Sequence, residues 1–310
     1  NDSVYVLETE NIKSYIGSVC GKLSNSKLTN ITINYVAYNL ENFSAYTLGG
    51  LVGLSNNNSE ITGCSVIGGI LKSSPIEKPY DLEEISKKGN IQVGGLVGYS
   101  YYSNIRNSYN RASIKIAGES STNDPMRTEI CVGGVVGESA AGGIYNSSSI
   151  YSYITVDNVY YAGYINVGGV VGKVSSTIVN DCYSSTPLSI TNTQNTKNQQ
   201  GGIASNGGAD FMNVGGIVGR YEIANGGTGD IHRCRFDSWI KAEPQCDYDN
   251  AACCSTISSS RYCMIGGIIG SLESESGRVI SIMNNSAIVS SLTIGSSSNP
   301  AGHTLVGYLG

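Results

Sequence analysis

Val93-Gly94-Gly95-Leu96-Val97-Gly98-Tyr99, followed six residues on by Ile105-Arg106-Asn107-Ser108-Tyr109, is the stretch on which the fold turns. Its glycine block recurs as Gly49-Gly50-Leu51-Val52-Gly53, Gly133-Gly134-Val135-Val136-Gly137 and Gly168-Gly169-Val170-Val171-Gly172. It returns again as Gly215-Gly216-Ile217-Val218-Gly219 and Gly266-Gly267-Ile268-Ile269-Gly270. A degenerate copy, Gly17-Ser18-Val19-Cys20-Gly21, precedes them, and a shortened one, His303-Thr304-Leu305-Val306-Gly307, follows. The eight starts lie 32, 45, 39, 35, 47, 51 and 37 residues apart, which is the mark of a repeat architecture.

Two further blocks complete each unit. The first is an aliphatic residue, a spacer and usually Asn: Leu28/Asn30, Ile105/Asn107, Ile144/Asn146, Ile178/Asn180 and Ile282/Asn284. Gly63 and Arg233 break this pattern after Ile61 and Ile231. The second block alternates with period two. Ile150, Ser152, Ile154 and Val156 point one way, while Tyr151, Tyr153 and Thr155 point the other. Ile31/Ile33, Ile114/Ile116, Leu188/Ile190 and Leu292/Ile294 behave alike. Alternation in β-branched residues predicts half-buried strands, so each unit reads as about three short strands separated by Ser, Asn and Gly turns.

Such a unit cannot bury its apolar face alone, and stacking on its neighbours supplies the core. The expected fold is all-β: a parallel β-helix, or β-solenoid, of about seven to eight coils. A β-propeller is the alternative, since units of about 41 residues also suit four-stranded blades. The solenoid is preferred because the spacing is so uneven. Glycine pairs suit its corners, where φ is positive or backbones approach closely. Asn at a recurring turn tolerates the left-handed conformation and can hydrogen-bond along the stack.

The solenoid is expected over residues 16–310, with repeats starting near 16, 48, 93, 132, 167, 214 and 265 and a truncated copy at 302–310. Residues 1–15 read as an N-terminal cap or added strand. The variable lengths fall at roughly 71–90, 117–130, 157–164, 191–212, 242–263 and 295–302, insertions expected on one edge. The first of them carries Asp81-Leu82-Glu83-Glu84-Ile85-Ser86-Lys87-Lys88-Gly89, which has the signals of a short helix but reads equally as a solvated turn.

Composition narrows the function. Of 310 residues, 40 are glycine and only 14% are charged, against roughly 25% in ordinary soluble domains. A net charge of −5 offers no basic footprint for nucleic acid. No apolar run reaches the length of a membrane span, and glycine lacks the strict three-residue period of collagen. The chain opens at Asn1 without a signal-like segment and so reads as processed or trimmed.

The units resemble the GLUG motif, a short repeat of bacterial and some eukaryotic cell-surface proteins named for its Gly-Leu-(any)-Gly core. The residues that carry the resemblance are Val93-Gly94-Gly95-Leu96-Val97-Gly98-Tyr99 with Ile105-Arg106-Asn107-Ser108-Tyr109. The resemblance implies an extracellular, non-enzymatic stalk or adhesin of stacked β-coils. It supplies no functional residues, because the motif is structural. The long insertions, and the cysteine-rich one above all, depart from typical tandem arrays.

Nine cysteines are present: Cys20, Cys64, Cys131, Cys182, Cys234, Cys246, Cys253, Cys254 and Cys263. The last four crowd the 242–263 insertion. Cys64 and Cys234 fall at the turn position of Ser108, and Cys182 one place later. In a secreted chain they read as disulfide candidates. The spacings seven, one and nine within the cluster do not match zinc ligation, and His232 and His303 stand apart. No metal and no cofactor is therefore expected. Sequons occur at Asn1, Asn30, Asn42, Asn57, Asn146 and Asn284, about the number that composition alone predicts. Asn30, Asn146 and Asn284 share the repeated turn, where an inward side chain could not carry a glycan. Asn1, Asn42 and Asn57 are the better candidates.

Nothing reads as a catalyst. The nearest acid cluster, Asp247-Tyr248-Asp249-Asn250, falls short of a calcium loop, and no Ser stands out with a His partner. Tyr is more suggestive. Tyr99, Tyr101, Tyr102, Tyr109, Tyr151, Tyr153, Tyr160, Tyr161 and Tyr164 fall on loops or outward strand positions, where flat rings with polar tips suit glycans or protein interfaces. The half-finished last repeat suggests completion by another subunit. The expectation is a secreted fibre or filament subunit that stacks end to end. The alternatives are a monomeric cell-surface adhesin for a glycan or protein and, remotely, a polysaccharide-degrading enzyme.

Overall fold

The computed structural model describes residues 14–41, 46–74, 90–117, 128–157, 162–192, 211–223, 229–244, 262–274, 281–294 and 303–307. These contain strands and turns and no helix. The segment 81–89 lies outside the described residues, as do residues 1–13.

Each coil contributes one strand to a first sheet of eight: Ser14–Gly17, Tyr46–Gly49, Ile91–Gly94, Thr128–Gly133, Ala162–Gly168, Phe211–Gly215, Tyr262–Gly266 and His303–Gly307. The chain turns at the glycine pair into a second sheet, whose long strands are Val97–Arg106, Val136–Tyr145 and Val171–Asn180. A second corner leads to a third sheet, through short strands such as Tyr109–Asn110 and Ser148–Ser149 and then Ser113–Ala117, Ile154–Asp157 and Leu188–Asn192. Strands pair in parallel with their counterparts one coil away. The protein is therefore a parallel β-helix. The propeller alternative fails, because its blades need antiparallel neighbours within one unit. The described strands before each stretch of variable length lie in the third sheet and those after it in the first.

The alternating residues fill the interior as columns. Leu48, Val93, Val132, Val167 and Val214 are fully buried in the first sheet, as are Ile61, Ile105, Ile144, Val179 and Ile231 in the second. Leu71, Ile114, Ile154, Leu188 and Ile240 complete the third wall. Each such side chain withdrawn from water stabilises the stack by roughly 1.5–3 kcal/mol, an upper estimate for an extended reference chain.

The glycine block is explained by close approach; positive φ is confined to other positions. A Cβ at the last glycine would strike the backbone of the preceding coil: at Gly137 it would sit 2.5 Å from the Gly98 carbonyl and 2.6 Å from the Val93 nitrogen. A Cβ on the second glycine of the pair would meet the next coil's carbonyl and the opposite wall, as Gly216 meets Gly267 and the Phe236 ring.

Positive φ gathers instead at a bend within the second sheet, which holds Tyr102, Ala141 and Ser176, and at the second corner. Asn30 (54°), Gly63 (64°), Asn107 (51°), Asn146 (44°), Asp181 (55°), Arg233 (50°) and Asn284 (58°) are all left-handed. Gly63 and Arg233 thus occupy the corner like the rest. One position of the sequence reading is corrected. Register pairs Ile144 with Val179 and Tyr145 with Asn180, so Val179 takes the core place assigned to Ile178, and Asp181 takes the corner assigned to Asn180. Adjacent Ile and Val residues, followed by Asn, had offered a false match one residue early. The expected hydrogen bonding along the stack is present: Asn146 Nδ2 donates to Asn107 Oδ1 at 2.8 Å.

Candidate functional site

The residue after the left-handed corner forms a polar ladder, and three cysteines belong to it. Its members are Cys64, Ser108, Ser147, Cys182, Cys234 and Asn285, so Cys182 is in step with the others and not displaced by one. A backbone N–H emerging at this corner needs an acceptor. Cys64 N donates to Ser108 Oγ at 3.1 Å, Ser108 N to Ser147 Oγ at 3.3 Å, and Cys234 N to Asn285 Oδ1 at 2.8 Å. The same side chains cap the carbonyl two residues back: Ser108 Oγ to Arg106 at 2.7 Å, Ser147 Oγ to Tyr145 at 2.9 Å, Cys182 Sγ to Asn180 at 3.3 Å and Cys234 Sγ to His232 at 3.3 Å.

All six described cysteines, Cys20, Cys64, Cys131, Cys182, Cys234 and Cys263, are thiols in the structure, where the sequence suggested disulfides. Cys182 and Cys234 stand on adjacent rungs with their thiols in contact, and burial followed by that contact pushes Cys182 well above the ordinary thiol value. Cys263, placed at the end of the cysteine-rich insertion by the sequence reading, is instead a buried rung of the first sheet beside Met212. Burial raises its pKa to about 12. Cys246, Cys253 and Cys254 lie outside the described residues, as do Asn1, Asn42 and Asp247–Asn250. Of the remaining sequons, Asn30, Asn146 and Asn284 are exposed at the left-handed corner, which corrects the expectation that this position faces inward. Asn57 is exposed as well.

The most concentrated chemistry lies where the outer faces of the first and second sheets converge. Asn166, Asn213, Gln92 and Cys131 occupy the first-sheet face opposite the apolar column, and all are buried. Asn213 Nδ2 donates to Asn166 Oδ1 at 2.7 Å, and Asn166 Nδ2 donates to Glu129 Oε1 at 2.9 Å. From the second sheet Lys173 Nζ reaches Glu129 at 3.0 Å, Glu222 at 3.6 Å and Glu138 at 3.9 Å. Arg220 meets Glu222 at 2.6 Å, Glu273 at 2.8 Å and Glu129 at 3.7 Å, and its guanidinium lies 4.5 Å from the Tyr164 ring, itself stacked on Phe211.

Burial works against the charge on Lys173, but the surrounding carboxylates outweigh it and hold its pKa above the usual lysine value. Burial, with Glu138 adding to it, lifts the Tyr99 phenol to about 12. This cluster is not legible in the sequence, because its members are spread over five coils; only the register, which aligns Tyr99, Glu138, Lys173 and Arg220, gathers them. Each of the four carboxylates already meets a cation, which suits a staple between sheets better than proton transfer.

The structure also makes a pair that the sequence missed: His232 Nε2 lies 3.1 Å from Ser281 Oγ on the adjacent coil. Among the described residues no carboxylate is hydrogen-bonded to that imidazole, so the third member of a nucleophilic triad is missing from them. Among the described residues no cluster of His, Cys, Asp or Glu is arranged to hold a metal ion, and no helix is long and apolar enough to cross a membrane.

Parallel coils, a repeated glycine corner and a ladder of small polar residues define a β-helical repeat protein. Residues 89–115, which hold one copy of the recurrent block, match the model of the GLUG motif. A comparison with curated proteins found no match. Among solved structures the chain is similar to one titled IgA1 Protease, at 17% identity and a TM-score of 0.45, over 87% of this chain and 18% of that one. The chain thus spans less than a fifth of that protein, and the likeness carries no argument about activity.

Proposed function

We propose that the chain is an extracellular structural element that lengthens by end-to-end stacking of its coils into a surface fibre or filament. The observation that carries this reading is the incompletely covered core at both ends of the described stack. Ile16, Leu28 and Ile33 are only half-buried, although Leu48, Ile61 and Val66 beside them are fully buried. At the other end Leu272 is 47% exposed, although its neighbour in the column, Tyr221, is 0% exposed. Both ends have the same three-sheet cross-section, with parallel strand edges that no strand among the described residues pairs, and such edges are templates for further strands. A second copy stacked head to tail would cover them, and because that contact does not close on itself it would propagate.

Negative-stain microscopy of the purified chain tests this. The expected result is unbranched filaments one β-helix wide, with Leu272→Lys shortening or abolishing them. Dispersed monomers at high concentration would overturn it. A second reading, an adhesin that presents its outer faces to a glycan or protein, is favoured by the tyrosines exposed on those faces.

A further inference from the structure

Coils take four or five residues to reach the long strand of the third sheet: 33–38, 66–71 and 287–292 take five, and the coil that holds Tyr151 also takes five although the coils on either side of it take four. From the rung Asn110↔Ser149 to the rung Ile114↔Ile154, one coil advances four residues and the next advances five. The following coil again takes four, from Ser184 to Leu188. The extra residue falls at the bend that holds Tyr151, which adopts φ 54° and is 80% exposed. A bulky residue in the left-handed region, with its ring in water, has no packing reason to be there. Bulges of this kind re-aim side chains beside binding sites.

The side chain next to it is equally unusual. The Arg111 guanidinium lies 5.3 Å from the Tyr109 ring and 5.4 Å from the Tyr151 ring, held between the two. Its Nε is buried without a hydrogen-bond partner, and no carboxylate pairs with it among the described residues. Tyr153, two residues on, is 58% exposed on the same coil, and Lys72 and Lys115 lie side by side on the outer face of the adjoining coils. The chain as a whole is acidic, at −5, so a cation presented between aromatic rings with no acid beside it is a local exception.

We infer that Arg111, Tyr109, Tyr151 and Tyr153 form a binding site for an acidic saccharide. The guanidinium fork takes a carboxylate of the sugar, and the exposed tyrosine rings stack on its pyranose face. A guanidinium that already lies beside two rings loses less side-chain freedom on binding than a free one. This goes beyond the structural role proposed above and does not depend on it.

Isothermal titration of the intact chain with sialyllactose and trigalacturonate, each beside its neutral counterpart, lactose and carboxyl-reduced trigalacturonate, tests the site. At least one acidic sugar is expected to bind at least tenfold more tightly than its neutral partner. Arg111→Gln should remove that preference, and Arg111→Lys should recover only part of it. Tyr151→Asn keeps a residue that tolerates the left-handed bend while deleting the ring, and should weaken binding tenfold or more with unchanged thermal unfolding. Absence of binding to both acidic sugars at millimolar concentration, equal binding of acidic and neutral sugars, or full affinity in Arg111→Gln would each overturn the proposal.

Discussion

The middle coils and the end coils are built from the same repeat, yet they solve burial differently. In the coils between residues 90 and 192 the inward columns are sealed on both sides: Ile105, Ile144 and Val179 are all fully buried. At the ends the equivalent residues Leu28 and Ile282 are half-exposed, because each has a described neighbour on one side only. The chemistry is identical and the environment is not. What protects a rung is therefore the next coil, as expected when stability is a sum of nearest-neighbour interfaces. The charged residues follow the same division. Lys173 in the middle is enclosed among carboxylates, with 12% of its side chain exposed, whereas Lys27 at the N-terminal end pairs with Glu60 at 76% exposure.

The largest effect that tests this contrast is a matched truncation in one column. Ile144→Ala should cost about 3–4 kcal/mol, because rungs above and below keep the cavity from collapsing. Ile282→Ala, at the last described rung of the same column, should cost about 1 kcal/mol, since part of that side chain already meets water. Urea unfolding of the two variants measures the difference. Equal losses would mean that the end coil is covered in solution. If filaments form as proposed, the Ile282→Ala loss should grow with protein concentration, since assembly turns an end coil into a middle one.

An ion-pair comparison gives a smaller effect. Lys173→Met leaves Glu129 and Glu138 without their nearest cation in a largely dry groove. Breaking a buried pair costs about 3–5 kcal/mol, and partial solvent access here reduces the expectation to about 2 kcal/mol. Lys27→Met, at the exposed end pair, should leave the melting temperature unchanged within error. A Lys173 variant as stable as the parent at neutral pH would show that the cluster contributes nothing to holding the two sheets together.

The sequence and the structure agree most closely where one residue type has one job. The glycine block was legible because Gly137 and its equivalents sit where any Cβ would strike a neighbouring backbone, which no other residue can tolerate. The alternating strands were legible for the same kind of reason: Ile114 and Ile116 face the core, and Lys115 between them faces water. Register was less so. Ile178 and Val179 are interchangeable by composition, and only the stacking of Val179 on Ile144 decides between them. The charged groove could not be read at all, since Glu129, Lys173 and Arg220 are far apart in sequence and meet through the coil pitch. The Arg111 site was half visible. Its tyrosines read as outward from the sequence, but the placing of Tyr109 and Tyr151 beside Arg111 emerges only when coils are aligned rung by rung.

The smallest effect concerns the corner ladder, where middle and later coils use different atoms for one task. Ser108 and Ser147 cap the corner with hydroxyls, and Cys182 and Cys234 cap it with thiols at the same position. If the cysteines are there as donors, Cys182→Ser should be nearly neutral, within about 1 kcal/mol, because the hydroxyl makes a stronger bond while burying a more polar group. Cys182→Ala should cost more, since it deletes the cap and leaves the Asn180 carbonyl and its neighbour's thiol without that partner. If the two touching thiols instead close into a disulfide in an oxidising compartment, mass spectrometry under non-reducing conditions would find residues 182 and 234 joined. In that case Cys182→Ser and Cys182→Ala would lose the same amount, and reductant would lower the parent's stability to match.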